Sequence, residues 1–446
     1  MILLINPKTS KPTENRTDFF REPNLGILYL AAVLDTNNIS VDILDLEQFK
    51  SLNSKELKKL IEERTSNYKI FGITSLTNTF HIALEIARII KDQNKNNYVI
   101  LGGPHVSFLS RNILENDYKT DKVINFICIG ESEISLLELT KFLLKKLESH
   151  KDLDHFEAEI NSIKGISYIN SKGKFIFTGF PDRPIDVESL PLPARYKLTQ
   201  ENFYYNVANV IINRGCPNQC SFCSRTKMFK EVRIRSINSI LTEIRDIISM
   251  QSYNYINFYD NININKEFFK DFCKMFIDNK ITIPWGCELR VDNVSLEDAR
   301  LLKDSGCQLI ATGVESASET VLKRNFKFQD PKKVYNGISN LKKFNIPLQT
   351  YFVLGLPGET VKDFYKTIEF LKKLPLDHND TINYFVATPY PGSRLSDDKL
   401  FNIKIIENDF SKYDCNHIIF ETEELNRNML EKLFHTAKDI EKEFKI

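Results

Sequence analysis

The feature that most constrains the fold is an alternation of short apolar runs with stretches of helical period, which occurs in two separate blocks. In the first block five runs are predicted to be buried strands, and the stretches between them repeat apolar residues at helical spacing. Strands that alternate with helices favour an α/β fold with a parallel sheet wound on both faces. We therefore predict a doubly wound sheet over residues 1–140, with strands at 1–5, 41–44, 70–74, 98–101 and 125–129.

Small or turn-forming residues follow four of these five strands. In an open parallel sheet ligands bind beyond the carboxyl ends of the strands, and glycine lets the backbone approach a ligand closely. The candidate ligand-contacting residues of the first block are Asn6, Thr74, Ser75, Gly102, Gly103, His105, Gly130 and Glu131.

The second block covers residues 196–395, and its strands are spaced further apart along the chain. Six strand-helix units are too few for a closed eight-stranded barrel, so we predict a partial (β/α)6 barrel with its chemistry at the carboxyl ends of the strands. Ser295 and Asp298 have the spacing of a capping box, and Gly306 is placed to end that helix. The strands are predicted at 210–213, 255–259, 283–288, 308–312, 348–354 and 381–387.

The segments outside the two blocks differ in composition. Residues 141–195 are predicted to be a linker with a hairpin around Ser171-Lys172-Gly173, followed by four prolines that exclude a helix or a central strand. Residues 396–446 are charged, end in a helical pattern, and are predicted to form a C-terminal extension covering one side of the open barrel.

Composition limits the partners of the chain. Its 446 residues carry 60 Lys plus Arg and 59 Asp plus Glu, a net charge of +1, so no long-range field attracts a nucleic acid or an anionic membrane. No apolar run approaches the roughly 20 residues that span a bilayer, so no membrane span is expected. The expected location is therefore the cytoplasm, where clustered cysteines bind metals or catalyse reactions more often than they form disulfides.

Three cysteines fall within eight residues. Cys216, Cys220 and Cys223 have the spacing Cys-x3-Cys-x2-Cys and directly follow the first predicted strand of the second block. Three thiolates on one loop can bind three irons of a four-iron cluster, which leaves one iron open for substrate. A zinc knuckle needs four ligands, and no further Cys or His follows at the spacing of a zinc finger. The other five cysteines are scattered: Cys128, Cys273, Cys287, Cys307 and Cys415.

The cysteine motif, with Phe222 before its last cysteine, resembles the signature of the radical S-adenosylmethionine (SAM) superfamily. Later segments with the same order and spacing are WGCELRVD at 285–292, GCQLIATGVES at 306–316, TYFVLGLPGET at 350–360 and ATPYPGSRL at 387–395. Earlier segments resemble the cobalamin-binding domain of one branch of that superfamily, namely PNLGILYL at 23–30, LGGPHVSF at 101–108 and IGESE at 129–133. The resemblance covers about nine-tenths of the chain by motif position.

The resemblance implies a [4Fe-4S] cluster on the three cysteines, with SAM on the open iron. It places Phe222 near the adenine and Gly355 and Pro357 in a turn beside the adenosine. A zwitterionic ligand with a ribose needs both charge signs and hydrogen-bond acceptors at strand ends. The residues implied to hold its polar groups are Asp260, Glu288, Arg290 and Glu315.

For the flavodoxin-like first domain, the resemblance implies cobalamin. The motif Asp-x-His-x-x-Gly, which supplies a histidine below cobalt, is absent around His81 and His105, so we expect cobalamin without a histidine ligand. His105 then either forms hydrogen bonds within its turn or contacts the edge of the corrin. The alternative is a flavodoxin-like sheet that has lost the ligand, as in some relatives.

The leading functional hypothesis is a cobalamin-dependent radical SAM methyltransferase acting on an unactivated carbon, or a phosphorus, of a small molecule. SAM would be cleaved to a 5'-deoxyadenosyl radical, and methylcobalamin would supply the methyl group. A second hypothesis keeps the radical chemistry but ends in cyclisation, oxidation, dehydration or rearrangement. A third, from another class, is a non-catalytic metal-binding protein, in which cysteine substitutions would change stability without any loss of SAM cleavage.

The resemblance also bears on the partners. Enzymes that methylthiolate tRNA carry three further cysteines in the N-terminal domain, where this chain has only Cys128. We therefore expect a small molecule, such as a natural-product or lipid intermediate, and an electron donor such as flavodoxin or ferredoxin. Aromatic residues near the sixth barrel strand are candidates for lining the substrate pocket, although aromatic residues at such positions belong to the core as often. They are Tyr384, Phe385 and Tyr390.

Overall fold

A computed structural model describes residues 1–8, 21–49, 52–149, 153–198, 204–259, 262–397 and 399–444 of the chain. These residues form two compact units. The N-terminal unit comprises residues 1–17, 24–204 and 228–230, and the barrel unit comprises residues 18–23, 205–227 and 231–446.

The N-terminal unit is built on one seven-stranded sheet. Its elements are β1 (Ile2–Asn6), α1 (Leu25–Thr36), β2 (Val41–Asp45), α2 (Ser54–Thr65), β3 (Ile70–Thr74), α3 (Phe80–Gln93), β4 (Tyr98–Gly102), α4 (Pro104–Lys119), β5 (Phe126–Cys128), α5 (Glu133–Ser149), α6 (Glu157–Ser162), β6 (Ile166–Ile169) and β7 (Phe175–Phe177). The strand order is β2-β1-β3-β4-β5-β6-β7, and the first five strands are parallel. This is the predicted doubly wound, flavodoxin-like order, with its switch point between β1 and β3.

The barrel unit contains a six-stranded parallel sheet in the order β15-β14-β13-β12-β11-β8. Its elements are β8 (Val207–Val210), β9 (Asn213–Arg214), α7 (Arg225–Met228), β10 (Arg233–Ile234), α8 (Ile237–Ser249), β11 (Tyr255–Phe258), α9 (Lys266–Asp278), β12 (Trp285–Glu288), α10 (Leu296–Asp304), β13 (Cys307–Glu315), α11 (Glu319–Arg324), α12 (Pro331–Lys342), β14 (Leu348–Leu354), α13 (Val361–Lys373), β15 (Thr381–Val386), α14 (Arg394–Asp397), β16 (Lys404–Ile405), β17 (Phe420–Glu421) and α15 (Arg427–Phe444). The partial (β/α)6 barrel is thus confirmed, and Ser295 and Asp298 form the expected capping box at the start of α10.

The two faces of the barrel sheet differ in polarity. One residue in two along each strand packs against the helices in a single apolar core, as Ile256, Ile310 and Phe352 do. Because successive side chains of a strand point to opposite faces, the intervening residues face the inside of the barrel. Several of these inner residues are polar, including Asn257 and Gln349.

Helix α15 closes one edge of the barrel sheet. The ammonium of Lys438 donates to the carbonyl oxygen of Tyr384 on the edge strand β15 at 2.8 Å, and the Tyr384 N–H donates to the Glu441 carboxylate. The two side chains also pair with each other at 3.1 Å, and Glu441 is only 3% exposed. The backbone N–H and carbonyl of Tyr384 on the edge strand are therefore satisfied by side chains of the C-terminal helix.

Two predicted elements lie elsewhere than expected. The hairpin of the predicted linker, β6 and β7, pairs antiparallel with β5 and extends the N-terminal sheet. The first barrel strand is Val207–Val210 rather than 210–213, because Asn209 on its inner face breaks the apolar run. Asn213 and Arg214 instead form a two-stranded ribbon with β10.

Candidate active site

The three clustered cysteines lie on the loop that follows β9. Gly215 starts this loop with a φ of +90°, and a Cβ there would lie 2.4 Å from the Glu231 carbonyl oxygen, so only glycine fits. Cys216, Cys220 and Cys223 are all free thiols and half-buried. The loop thus presents three partly accessible thiols from one tight turn.

Ser221, between two of the cysteines, fixes the loop to the barrel. Its N–H donates to the Asn325 carbonyl oxygen at 2.9 Å, and its hydroxyl donates to Asn325 Oδ1 at 2.7 Å. The Asn325 amide in turn donates to the Pro357 carbonyl oxygen at 2.9 Å, and the Leu395 N–H donates to the Ser221 carbonyl oxygen at 2.8 Å. Ser221 and Asn325 are fully buried, so these bonds hold the loop without competition from water.

The thiols share their surroundings with a buried ion pair. Burial raises the pKa of Cys220 to about 11, against the opposing charge of Lys327, and burial also raises the pKa of Cys223. Lys327 Nζ lies 3.0 Å from Glu315 Oε1, and both side chains are almost fully buried. Burial by itself would lower the pKa of Lys327, but the Glu315 carboxylate outweighs it and leaves the pKa raised. The cysteine loop therefore faces the ammonium group of Lys327, which stays protonated.

These residues fit an iron-sulfur cluster better than a single metal ion. Within the described segments, no three His, Cys, Asp or Glu side chains are arranged to hold one ion. A cubane cluster takes each thiolate on a different iron, so its ligands need not converge on one point. Arg290 and Lys327 supply positive charge beside thiols that must bind as thiolates.

Arg290 joins the cysteine loop to the end of β12. Its guanidinium donates to both carboxylate oxygens of Asp292, at 3.1 and 2.7 Å, and to Asn218 Oδ1 on the cysteine loop at 2.9 Å. A cavity of about 630 Å³ opens beside this network, lined among others by Asn218, Arg290 and Gln329. Arg290, which was predicted to hold SAM, thus lies next to the cysteine loop and already forms an ion pair with Asp292.

The remaining residues predicted to hold SAM lie around the carboxyl ends of the strands. Glu288 ends β12 on the inner face, and Glu315 ends β13 with a φ of +61°. Gly355 follows β14 with a φ of +83°, and its N–H donates to the buried Glu359 carboxyl at 2.6 Å. Asp260 lies outside the described residues.

Phe222 packs into a small apolar cluster built largely by the C-terminal segment. Arg394 on α14 also lies over the Phe326 ring, 3.7 Å from its centre, and Lys227 pairs with Asp397 at 2.6 Å. The C-terminal segment thus contacts the cysteine loop as well as the barrel edge. The fully buried members of the cluster are Val321, Leu356, Ala387, Leu395, Phe401, Tyr413, Ile419 and Phe420.

The aromatic residues near β15 take different places. Phe385 faces the inside of the barrel, where its ring lies 5.8 Å from that of Tyr351. Tyr384 points the other way and stacks on Phe352, so of its two readings the core is the one that holds. Tyr390 packs within the C-terminal segment and donates to the Tyr413 carbonyl oxygen at 3.0 Å.

In the N-terminal unit, the candidate residues lie at the carboxyl ends of β1, β3, β4 and β5. Gly103 has a φ of +102°, and a Cβ there would lie 2.5 Å from the Ser75 carbonyl oxygen, so the turns after β3 and β4 are in contact. A Cβ at Gly102 or Gly130 would meet no atom within 4 Å, so space for a ligand lies beside both. Thr74 pairs with Gly102 in the sheet, and Glu131 is half-buried next to Gly130.

Two of these residues, Asn6 and His105, are held by contacts with other residues of the protein. Asn6 donates to Asp45 at 2.8 Å and accepts from Asn24 at 3.0 Å. His105 is 1% exposed and packs on Phe80 with ring centres 4.5 Å apart, and burial lowers its pKa to about 4. The turns at Gly102 and Gly130 therefore leave room for a ligand, whereas Asn6 and His105 are held by contacts within the protein.

The sequence did not reveal Asn218, Asn325 or Lys327 as parts of the site. Asn218 lies inside the cysteine motif, and its spacing from the cysteines is the one signal that could have indicated it. Asn325 and Lys327 reach the loop from more than 100 residues away, and no local pattern marks them.

Comparison with protein families agrees with this geometry. The Radical SAM superfamily model matches residues 210–371, and the B12 binding domain model matches residues 17–140. Residues 210–371 therefore carry a radical SAM domain and residues 17–140 a B12-binding domain, and the two occur together in this chain. The first domain model implies a [4Fe-4S] cluster and SAM, and the second implies cobalamin.

Two curated relatives match this chain over most of its length. An uncharacterized methyltransferase of Pyrococcus horikoshii, PH0819, is 28% identical over 98% of this chain and 91% of its own length. The anaerobic magnesium-protoporphyrin IX monomethyl ester cyclase of Rubrivivax gelatinosus is 26% identical over 92% of this chain and 71% of its own length.

Among solved structures, the cobalamin-dependent SAM radical enzyme OxsB, with aqua-cobalamin and SAM bound, superposes with a TM-score of 0.66 at 17% identity. The match covers 99% of this chain and 61% of the OxsB chain, and it confirms the predicted fold class. In the described part of this chain, none of the helices has both the length and the apolar character to cross a membrane.

Proposed function

We propose that the protein is a cobalamin-dependent radical SAM methyltransferase that methylates an unactivated carbon, or a phosphorus, of a small molecule. The observation that carries this proposal is the three-thiol loop, fixed by buried hydrogen bonds to the barrel, in a chain that also has a B12-binding sheet. The Pyrococcus relative named as a methyltransferase supports the same reaction class.

The barrel residues suit the binding of SAM at such a cluster. When bound, the cluster and SAM supply one-electron cleavage of SAM, and cobalamin supplies a methyl carrier. Arg290 donates four of its five N–H groups to Asp292, Asn218 and Phe328, so one N–H beside the cysteine loop remains for a carboxylate. Glu288 and Glu315 offer carboxylates to an amino group and to hydroxyls at the ends of adjacent strands.

The apolar cluster around Phe222 keeps water from the adenine side of this site. Gly355 and Pro357 bring the backbone of the turn after β14 to the same region, because Asn325 ties Pro357 to the cysteine loop. In the N-terminal unit, we propose that cobalamin lies against the turns of Thr74, Ser75, Gly102, Gly103, Gly130 and Glu131.

A second candidate function is radical chemistry without methyl transfer, such as a cyclisation. The Rubrivivax relative, named as a cyclase, favours this candidate, because it matches the chain over nearly the same length. Both candidates use the same cysteine loop and differ in the product.

One experiment separates the candidates. The protein is purified anaerobically, its iron, sulfide and cobalt are counted, and its absorption spectrum is recorded. During turnover with a cell extract as the source of substrate, a methyltransferase forms both S-adenosylhomocysteine and 5'-deoxyadenosine. Deoxyadenosine alone would contradict methylation and favour the second candidate, and neither product would contradict both.

We further propose a flavodoxin or a ferredoxin as the electron donor and the cytoplasm as the location. An oxygen-sensitive cluster needs a reducing compartment, and one-electron donors of low potential are found there. Reduction of the cluster by purified flavodoxin, followed by electron paramagnetic resonance (EPR), tests the donor.

A further inference from the structure

The inner face of the barrel is polar on the side of β8 and β11. Tyr255 and Asn257 alternate with the core residues Ile256 and Phe258, so both point inward. A Cβ on Gly286, which faces inward from the adjacent strand, would lie 2.3 Å from the Tyr255 hydroxyl, so the glycine makes room for the ring. This part of the interior is therefore built to hold polar groups.

A carboxylate from a distant part of the chain lies in this region. Glu22, which belongs to the barrel unit although it precedes α1, accepts from the Asn257 side-chain amide at 2.9 Å. Its other oxygen accepts from the Tyr259 hydroxyl, one residue beyond β11. Glu22 is thus held toward the carboxyl end of β11, where barrel enzymes of this type carry out their chemistry.

The segment around Glu22 is fixed by further bonds. The Arg21 carbonyl oxygen accepts from the N–H groups of Asn206 and Val207, each at 3.2 Å, along the edge of β8. Asn209, on the inner face of β8, donates to the Pro23 carbonyl oxygen at 2.6 Å. The residues on both sides of Glu22 are therefore tied to the barrel, and the carboxylate is pre-positioned.

The charge of Glu22 is not balanced by a basic side chain. Both observed bonds come from neutral donors, and within the described segments no Lys, Arg or His forms an ion pair with it. A carboxylate oxygen accepts more than one hydrogen bond, so each oxygen keeps capacity for a further donor. Bonds from charged donors are about twice as strong as bonds from neutral ones.

We propose that Glu22 is a specificity-determining residue that binds an ammonium or hydroxyl group of the substrate inside the barrel. This inference rests on the proposed function, because it assigns the substrate class of the same site. A substrate whose nearest group is a carboxylate or phosphate is excluded by repulsion from Glu22.

The first test follows methyl transfer. Holoenzyme is incubated with methyl-labelled SAM and with small-molecule cell extract separated into cation-exchange, neutral polar, anion-exchange and lipid fractions. We expect label in a product from the cationic or the neutral polar fraction, reduced at least tenfold by Glu22→Gln and partly restored by Glu22→Asp. Equal labelling by Glu22→Gln and the wild type, whichever fraction supplies the substrate, would overturn the inference while leaving the methyltransferase proposal intact.

The control variant is Glu297→Gln, an exposed carboxylate on α10, which should label like the wild type. A lower melting temperature of Glu22→Gln with unchanged labelling would show a structural role alone and would also overturn the inference.

The second test does not depend on turnover. Binding of n-butylamine, an ammonium ion at pH 7.5, and of butyrate to the holoenzyme is compared by saturation-transfer NMR. We expect a signal for butylammonium that Glu22→Gln reduces at least fivefold and Glu297→Gln does not, with little signal for butyrate. Absence of butylammonium binding to the wild type, or equal binding to Glu22→Gln, would contradict the inference even if no extract fraction is methylated.

Discussion

At the residue scale, the cysteine loop depends on a side chain that binds no metal. Asn325 is fully buried and bonds to both the Ser221 hydroxyl and the Pro357 carbonyl oxygen. Asn325→Ala leaves these groups unsatisfied, which costs about 1–3 kcal/mol for each buried group. We expect the variant to retain less iron after reconstitution and to show a broadened EPR spectrum in the reduced state.

Asn428→Ala is the matched control for Asn325→Ala, because Asn428 is exposed on α15. Its iron content should equal that of the wild type. Full iron content and an unchanged spectrum in Asn325→Ala would show that the loop does not need the buried bonds.

The thiol pKa values predict how cluster assembly depends on pH. Burial raises the pKa of Cys220 to about 11, so its thiol is almost entirely protonated at pH 7. Below the pKa, the thiolate fraction rises about tenfold per pH unit. Alkylation of Cys220 in the apoprotein by iodoacetamide, followed by peptide mass spectrometry, should accelerate by about that factor even between pH 9 and pH 10, where a thiol of ordinary pKa accelerates only about twofold. An acceleration of only about twofold over this range would contradict the raised pKa.

Glu359 gives a pH-dependent contribution to stability with a defined sign. Burial raises its pKa to about 8, well above its value in an unfolded chain. The folded state then binds the extra proton between roughly pH 4.5 and pH 8, so the contribution is full below pH 4.5 and lost as pH rises through 8.

Glu359→Gln keeps a neutral acceptor for the Gly355 N–H and removes the titration. We expect urea unfolding of the variant to lose less stability between pH 6 and pH 9 than the wild type does. If the free energy of unfolding changes with pH equally in the variant and the wild type, Glu359 is not the titrating group.

Single residues could be predicted where a local sequence motif contains them, and not where the fold brings them to the site from a distant part of the chain. The cysteine trio is recognisable because its three ligands share one loop with fixed spacing. Lys327 and Asn325 act on the same loop through the fold, so their identity depends on how α11 ends beside it. For His105 the sequence left two readings, a hydrogen bond within its turn or a contact to the corrin edge, and the fold packs the ring against Phe80.

At the element scale, α15 is a required part of the barrel. Its Lys438 and Glu441 satisfy the backbone of Tyr384 on the edge strand. Glu441→Ala removes the buried acceptor of the Tyr384 N–H and the partner of half-buried Lys438, which costs about 1–3 kcal/mol. We expect chemical denaturation to show that loss for the barrel unit.

Glu443→Ala, two residues later and exposed, is the matched control for Glu441→Ala. It should change stability by less than about 0.5 kcal/mol. Equal effects of the two substitutions would mean that the contacts of Glu441 to β15 do not matter.

Elements were predictable where the apolar pattern matched burial. The strands of the N-terminal sheet are buried on both faces and read as continuous apolar runs, as in β1 and β3. The predicted bounds of β8 were wrong because the inner face of this strand carries Asn209, which interrupts the apolar run. The hairpin was recognised, but its pairing with β5 depends on a register that local sequence does not encode.

At the scale of the whole molecule, the two units have separate apolar cores. One core contains residues of β1, β3 and β4, and the other contains residues of the barrel strands and their helices. The candidate site for the cluster is built on one core and that for cobalamin on the other. We therefore expect each site to keep its cofactor when the ligands of the other site are removed. The triple substitution of Cys216, Cys220 and Cys223 by Ala should abolish iron binding and SAM cleavage while leaving cobalt content within about 20% of wild type.

A matched control replaces the buried thiol Cys273 by Ala, which should leave both iron and cobalt unchanged. Loss of cobalt in the triple variant would mean that the two sites are not independent. Retained SAM cleavage in that variant would contradict the assignment of the cluster.

An open barrel has two edge strands, and here each is covered by a different part of the chain. Side chains of α15 satisfy β15, and the Arg21 carbonyl oxygen accepts from the start of β8. Exposed strand edges act as templates for the edges of other molecules, which leads to aggregation. The two covers therefore also keep separate copies of this open sheet from joining edge to edge, a hazard that a closed barrel does not face.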